Sequence, residues 1–280
     1  MTDERPRRIL VVANETVGGS ALIEAVRRHA DDGSESIRVI CPQNRPKHGN
    51  VIYEDAVSAA AANRLELTLS DLREAGVEAR GEIVDPDPYT AIRDALEAEG
   101  TDLVIISTHP QTRSGWLQRS LVNRVERDLG VEVEHVVVDL DQDAREGITS
   151  TLVVANRTAG GESLLNALKS KTTEGRHRFI LVCPQNEERR ELAEERLAQT
   201  LEVMREAGFE AIGQTMGPDP FVAVQNALQY YPVDEIVIST FEETRSGWLG
   251  TDLIERVRSA TAKPVEHIVA ETAAREEPSV

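Results

Sequence analysis

Leu10-Val11-Val12-Ala13-Asn14, close to the start of the chain, returns as Leu152-Val153-Val154-Ala155-Asn156, and this repetition decides the fold. The shift is 142 residues, from 14 to 156. It also carries Thr16, Gly18 and Gly19 onto Thr158, Gly160 and Gly161, and Cys41-Pro42-Gln43-Asn44 onto Cys183-Pro184-Gln185-Asn186. Farther on the shift is 132. Arg73-Glu74-Ala75-Gly76 matches Arg205-Glu206-Ala207-Gly208, Pro86-Asp87-Pro88 matches Pro218-Asp219-Pro220, and Thr112-Arg113-Ser114-Gly115-Trp116-Leu117 matches Thr244-Arg245-Ser246-Gly247-Trp248-Leu249. The first half therefore holds ten extra residues (142 − 132), placed around Arg45 to Glu54, where Pro46, Gly49 and Asn50 read as loop. Self-similarity of this kind makes the chain a tandem duplication.

Within each half, short β-branched runs alternate with amphipathic stretches. In the first, Ile9 to Ala13, Ile37 to Cys41, Val77 to Val84, Leu103 to Ser107 and Val133 to Val138 read as strands. Between them Gly19 to His29, Ala56 to Ala75, Tyr89 to Glu99 and Trp116 to Leu129 read as helices, with apolar residues three and four apart, as in Leu65, Leu69 and Leu72. The second half repeats the order from Thr151 to Ala270. Alternating strands and helices with right-handed crossovers build a parallel sheet covered on both faces. The fold class is thus α/β, with tandem Rossmann-like domains at 1–140 and 151–272, a linker at 141–150 inside the acidic stretch Asp139 to Ser150, and a tail at 273–280. A length of 280 residues, more than one core usually organises, agrees with two domains.

Composition excludes several partners. A formal charge of -18, from 49 acids against 31 bases, repels phosphate backbones and anionic lipid surfaces, and 4% aromatic residues leave little for stacking on single strands. Nucleic acid and membrane are therefore not expected, and the acidity reads as a well-solvated surface. Met1-Thr2-Asp3-Glu4-Arg5-Pro6-Arg7-Arg8 lacks the apolar stretch of a signal peptide, and no apolar run reaches the roughly 18 residues of a membrane span, so a cytoplasmic location is expected. The two cysteines are too few for a disulfide framework and lie in separate halves without metal-ligand spacing.

In open parallel sheets a ligand sits outside the carboxyl ends of the strands, where the strand order reverses. The residues after strands one and four are then the candidate site. After strand one come Asn14, Thr16, Gly18 and Gly19, with Asn156, Thr158, Gly160 and Gly161 in the second half. Asn or Thr caps a helix start, and paired glycines let backbone N–H groups approach an anion; alternatively, the glycines only relieve crowding where helix one packs on the sheet. After strand four come Ser107, Thr108, Arg113, Ser114, Gly115 and Trp116, with Ser239, Thr240, Arg245, Ser246, Gly247 and Trp248 in the second half. Hydroxyls, a guanidinium and a glycine suit phosphate oxygens, and Trp116 suits a ring or ribose. The alternative is a structural loop in which Arg pairs with a carboxylate, Ser caps the helix and Trp fills a gap.

Other residues have simpler readings. Asp87 and Asp219, between prolines, suit helix capping. Cys41 and Cys183 read as small buried hydrophobes. His135 and His267, beside Glu134 and Glu266, lie in strand five, an edge that must be covered or paired, and line a domain contact in preference to a metal site. No metal constellation is apparent. Phosphate-loop, nucleophile-elbow, His-Glu-x-x-His and complete Gly-x-Gly-x-x-Gly motifs are missing.

Ile9-Leu10-Val11-Val12-Ala13-Asn14, the Asp85-Pro86-Asp87-Pro88 segment followed by Ala91-Ile92, Thr101-Asp102-Leu103-Val104-Ile105-Ile106-Ser107-Thr108 and Val133-Glu134-His135-Val136-Val137-Val138, each with its second copy, resemble the universal stress protein family in tandem form. The resemblance implies an adenine nucleotide alpha hydrolase-like fold with five-stranded parallel sheets of order 3-2-1-4-5. It also implies association through strand five, here as an intramolecular pseudo-dimer, with a further homodimer open. Many members bind ATP through an acidic residue after strand one and a loop of spaced glycines after strand four. Here Asn14 and Asn156 take the acidic position, Ser107 and Ser239 stand at the first loop glycine, and only Gly115 and Gly247 remain of the others. Arg124-Val125 and Arg256-Val257 occupy the place of the closing Gly-Ser or Gly-Thr. Asn14, Ser107, Thr108, Gly115 and their copies inherit a nucleotide role. The expectation is a non-catalytic stress-response protein binding ATP, with magnesium, or AMP, or another small anion. The alternatives are a ligand-free scaffold and, third, nucleotide hydrolysis, for which no base or metal site is visible.

Overall fold

The computed structural model describes residues 6–13, 19–30, 35–43, 54–108, 120–138, 148–173, 175–241 and 252–270. The chain divides into two compact units, Met1–Lys47 with Val57–Asp143, and His48–Ala56 with Ala144–Val280.

In the first unit, β1 (Arg8–Val12), α1 (Ser20–His29), β2 (Ser36–Pro42), α2 (Glu54–Glu74), β3 (Ala79–Val84), α3 (Pro88–Glu99), β4 (Leu103–Thr108), α4 (Ser120–Leu129) and β5 (Glu132–Val137) follow one another. In the second, β6 (Ile148–Val154), α5 (Glu162–Thr172), β7 (Arg176–Pro184), a 3-10 turn (Glu187–Arg189), α6 (Arg190–Glu206), β8 (Glu210–Met216), α7 (Pro220–Tyr230), β9 (Glu235–Phe241), α8 (Leu253–Ala260) and β10 (Val265–Ala270) do the same. Each unit holds one five-stranded sheet, β3-β2-β1-β4-β5 and β8-β7-β6-β9-β10. Every strand pair is parallel.

Side-chain alternation along β1 sends Ile9 and Val11 to one face and Leu10 and Val12 to the other. Ile9 and Val11 pack with Leu22 and Val26 of α1 and Ala61, Leu65 and Leu72 of α2. Leu10 and Val12 pack with Ile92 and Ala95 of α3 and Val125 of α4. Both faces of the central strand are therefore apolar, and its sequence reads as a continuous hydrophobic run. In the second unit Val153 packs with Leu164 and Leu168 of α5 and Leu197, Leu201 and Met204 of α6.

Most element ends shift by a residue or two from the sequence reading, and two of the differences have a physical cause. Val77 does not start β3. Its N–H donates to the Leu72 carbonyl (2.9 Å) after Gly76 turns at φ +80°, so Val77 closes α2 as the hydrophobic arm of a helix-ending motif. Phe209 does the same for α6 after Gly208. The stretch 141–150 is not wholly linker, because β6 starts at Ile148, which pairs with Arg176. The Ser150 N–H is fixed by Asp234 Oδ2 at 2.9 Å, as the Arg8 N–H is by Asp102 Oδ2 at 2.9 Å, so one aspartate before strand four anchors strand one in each unit.

Candidate functional site

The crevice after strands one and four is described most fully in the second unit, where Asn156 to Gly161 connect β6 to α5. Gly160 turns the chain at φ +78°, and a Cβ there would stand 3.1 Å from Thr200 Oγ1 on α6, so a side chain at this position would be strained. The close approach at Gly160 comes from α6, not from the packing of helix one on the sheet that the sequence reading offered. Gly161 is the N-cap of α5 without a side-chain capping bond, and its N–H donates to the Thr158 carbonyl at 3.1 Å. Asn156 and Thr158 do not cap the helix as expected, because their side chains bond elsewhere. Asn156 Nδ2 donates to the Pro184 carbonyl at 2.7 Å, and its Oδ1 accepts from Arg196 Nη1 at 3.1 Å. Thr158 Oγ1 donates to the Ser239 carbonyl at 3.0 Å, and the Arg157 guanidinium lies 5.4 Å from the Phe241 ring centroid. The turn after strand one and the end of strand four therefore meet.

In the first unit the ends of β1 and β4 also meet, since the Ser107 hydroxyl donates to the Val12 carbonyl at 3.2 Å. Gly19 is the N-cap of α1, again without a side-chain capping bond. Thr108 Oγ1 lies 2.7 Å from His135 Nε2, and Thr240 Oγ1 lies 2.8 Å from His267 Nε2, so each strand-five histidine is tied to the end of strand four in its own unit. Burial lowers the pKa of both imidazoles, and Arg258 adds to the effect at His267. Among the described residues no group of three or more His, Cys, Asp or Glu is placed to hold a metal ion. Asn14, Thr16, Gly18, Arg113, Ser114, Gly115, Trp116, Arg245, Ser246, Gly247 and Trp248 lie outside the described residues.

Two features of both units escaped the sequence reading. The first is a glycine in strand three: a Cβ on Gly81 would stand 2.5 Å from Leu65 Cδ1, and one on Gly213 2.9 Å from both the Leu181 carbonyl oxygen and Leu197 Cδ1. The helix after strand two rests on this bare strip of backbone. The second is the residue that the close approach positions. Arg64, 1% exposed, bonds Cys41 at the end of β2, and Arg196 bonds Asn156 and lies near Cys183. Burial pushes the Cys183 thiol up to about 12 against the opposing Arg196 charge, and burial likewise outweighs Arg64 at Cys41, so both thiols stay protonated and unreactive. The signal was present in the sequence: arginine recurs at 64 and 196, the shift of 132, on the stripe that carries Leu65 and Leu197.

Asp87 and Asp219 cap α3 and α7 as expected, accepting from Thr90 N and from Phe221 N and Val222 N. The Arg124 and Arg256 guanidiniums, at the place of the missing Gly-Ser or Gly-Thr, stack on Tyr89 at 3.6 Å and Phe221 at 4.2 Å. They join the fourth helix of each unit to the third.

Both sheets have the strand order 3-2-1-4-5. The chain resembles tandem universal stress proteins. A universal stress protein from Archaeoglobus fulgidus DSM 4304 aligns with 17% identity over 93% of this chain and 96% of its own, at TM-score 0.34. A candidate universal stress protein from Pseudomonas aeruginosa UCBPP-PA14 aligns with 17% identity over 94% of both chains, at TM-score 0.33. A universal stress protein from Archaeoglobus fulgidus covers 46% of this chain and 93% of its own, with 17% identity and TM-score 0.35. No protein-family model matches the chain, and neither does any curated protein. No helix among the described residues is long and apolar enough to cross a membrane.

Proposed function

We propose that the chain is a non-catalytic, universal-stress-like tandem protein that takes a small anionic ligand at the carboxyl ends of strands one and four, acting in a stress response. The ligand is an adenine nucleotide, AMP or ATP with its magnesium, or another small oxyanion. The observation that supports this most directly is the Thr158 to Ser239 hydrogen bond of 3.0 Å, which joins the turn before α5 to the end of β9. A helix N-terminus, the Ser239 hydroxyl and the Arg157 guanidinium all belong to that junction, and these are donor types that suit phosphate oxygens. Arg113, Gly115 and their copies Arg245 and Gly247 complete the set in this reading. Magnesium arrives with the triphosphate and is not resident.

Isothermal titration of the full chain with ATP and AMP, with Arg113→Ala and Arg245→Ala as controls, tests the reading. Saturable binding weakened by either substitution supports it. No heat at millimolar nucleotide removes it. A second reading, a scaffold whose crevices hold no ligand, is favoured by one specific observation. The Asn156 amide, the Thr158 hydroxyl and the Gly161 N–H are all bonded within the protein.

A further inference from the structure

The same closed turn leaves one group unsatisfied. Ser239 is 1% exposed and its Oγ has no hydrogen-bond partner among the described residues, whereas its counterpart Ser107 bonds the Val12 carbonyl. Alternation along β9 puts Ser239 on the same face as Val237 and Phe241. That face carries Ala159 and Leu164, which pack with Val237, and Arg157, which covers Phe241. The Ser239 hydroxyl therefore faces the underside of the turn that leads into α5. A buried hydroxyl without a partner disfavours the closed arrangement. The Thr158 to Ser239 bond helps hold the turn down, as does an Arg157 to Phe241 stack close to the roughly 6 Å limit of cation–π attraction.

We propose that the second unit binds a small phosphate oxyanion, free or as a monoester, between the Arg157 guanidinium, the Ser239 hydroxyl and the first turn of α5, once the 156–161 turn lifts from β9. This rests on the reading of the crevice as an anion site and adds the unit, the cation and the way in. Donors that converge from a guanidinium fork, a hydroxyl and helix amides match a tetrahedral oxyanion better than a planar carboxylate. Arg196, held on Asn156, adds a second positive charge at the turn, while exposed Glu162 at the first helical position opposes the anion and keeps binding weak.

Titration of the full chain with inorganic phosphate, followed by calorimetry and phosphorus NMR, tests the proposal. Arg157→Gln and Ser239→Ala are each expected to weaken binding about tenfold. Phe241→Leu, which frees Arg157, tightens it about two- to fivefold. Without phosphate, Ser239→Ala raises the thermal midpoint by about 2–4 °C, because it removes an unpaired hydroxyl, and this also shows that the variant folds. Loss with Arg157→Gln but not with Ser239→Ala overturns the proposal, since it describes an ion attracted to the surface. Absence of saturable phosphate binding overturns it as well, whether or not AMP binds. Phosphate binding that behaves as expected, with no response to ATP or AMP, supports the site and removes the nucleotide from the functional reading.

Discussion

In the first unit Glu134 of β5 lies 2.6 Å from His29 and 2.7 Å from Arg28, both in the last turn of α1. In the second, Lys171 of α5, at the position matching His29, holds both Glu235 and Glu266 at 3.0 Å. The acid on the outer strand is common to both units, and the cation that meets it is not. The same division runs through the rest of the molecule. Bare glycine backbone under the second helix, an arginine beside the strand-two cysteine, and an aspartate on an N–H near the start of strand one occur twice. The hydroxyl at the end of strand four, bonded at Ser107 and unbonded at Ser239, differs. Duplication has kept what packs the sheet, and the two units differ in how the Ser107 and Ser239 hydroxyls are bonded and in which cation meets the outer-strand acid.

The largest test bears on what is shared. A methyl group on Gly213 meets a backbone oxygen that cannot move aside, while one on Gly81 meets only the end of the Leu65 side chain. Gly213→Ala is expected to cost about 2–3 kcal/mol and Gly81→Ala about 1 kcal/mol, read from urea unfolding. Equal costs would mean that the two helices do not rest on their sheets in the way described. The next test bears on what differs. Lys171→Ala leaves Glu235 and Glu266 facing each other and is expected to cost about 1–2 kcal/mol, less than a fully buried pair because Glu266 is half exposed. His29→Ala leaves Arg28 on Glu134 and costs about 0.5 kcal/mol. A larger loss from His29 than from Lys171 would reverse the comparison.

The fold was legible because a continuous apolar run such as Leu10 to Ala13 recurs intact 142 residues later, and because each run is followed by a helical period. The meeting of the ends of strands one and four was legible for the same reason, since topology alone sets it. The bonds inside it were not. Asn156 finds its partners 28 and 40 residues away, on Pro184 and Arg196, and no local pattern encodes such pairings. Arg64 reads as a surface residue by type, and only its recurrence at Arg196 on an apolar stripe marks it as buried. Gly81, between Arg80 and Glu82, gives no hint of the leucine above it. Val77 misled the reading of β3 because a β-branched residue looks the same in a strand as in a helix-closing contact.

The smallest expected effect separates the two histidines. Burial lowers the pKa of His135 and His267 below the roughly 6.5 of the unfolded chain, so between the two values the unfolded chain binds more protons and stability rises with pH. Their contribution is complete above about pH 6.5 and is lost as the pH falls through the folded values. Urea midpoints measured from pH 7 to pH 5 should therefore decline, and His135→Gln or His267→Gln should each flatten part of that decline. A midpoint that rises on acidification would show charged imidazoles paired with acids instead. Salt then distinguishes the units. Only His267 is pushed down by a neighbouring charge, Arg258, as well as by burial. Screening weakens that push, so added salt should reduce the pH slope of the His135→Gln variant and leave that of His267→Gln nearly unchanged. If both variants respond to salt alike, Arg258 does not separate the two histidines, and the divergence between the units stops at the crevice and the α1 and α5 clasps.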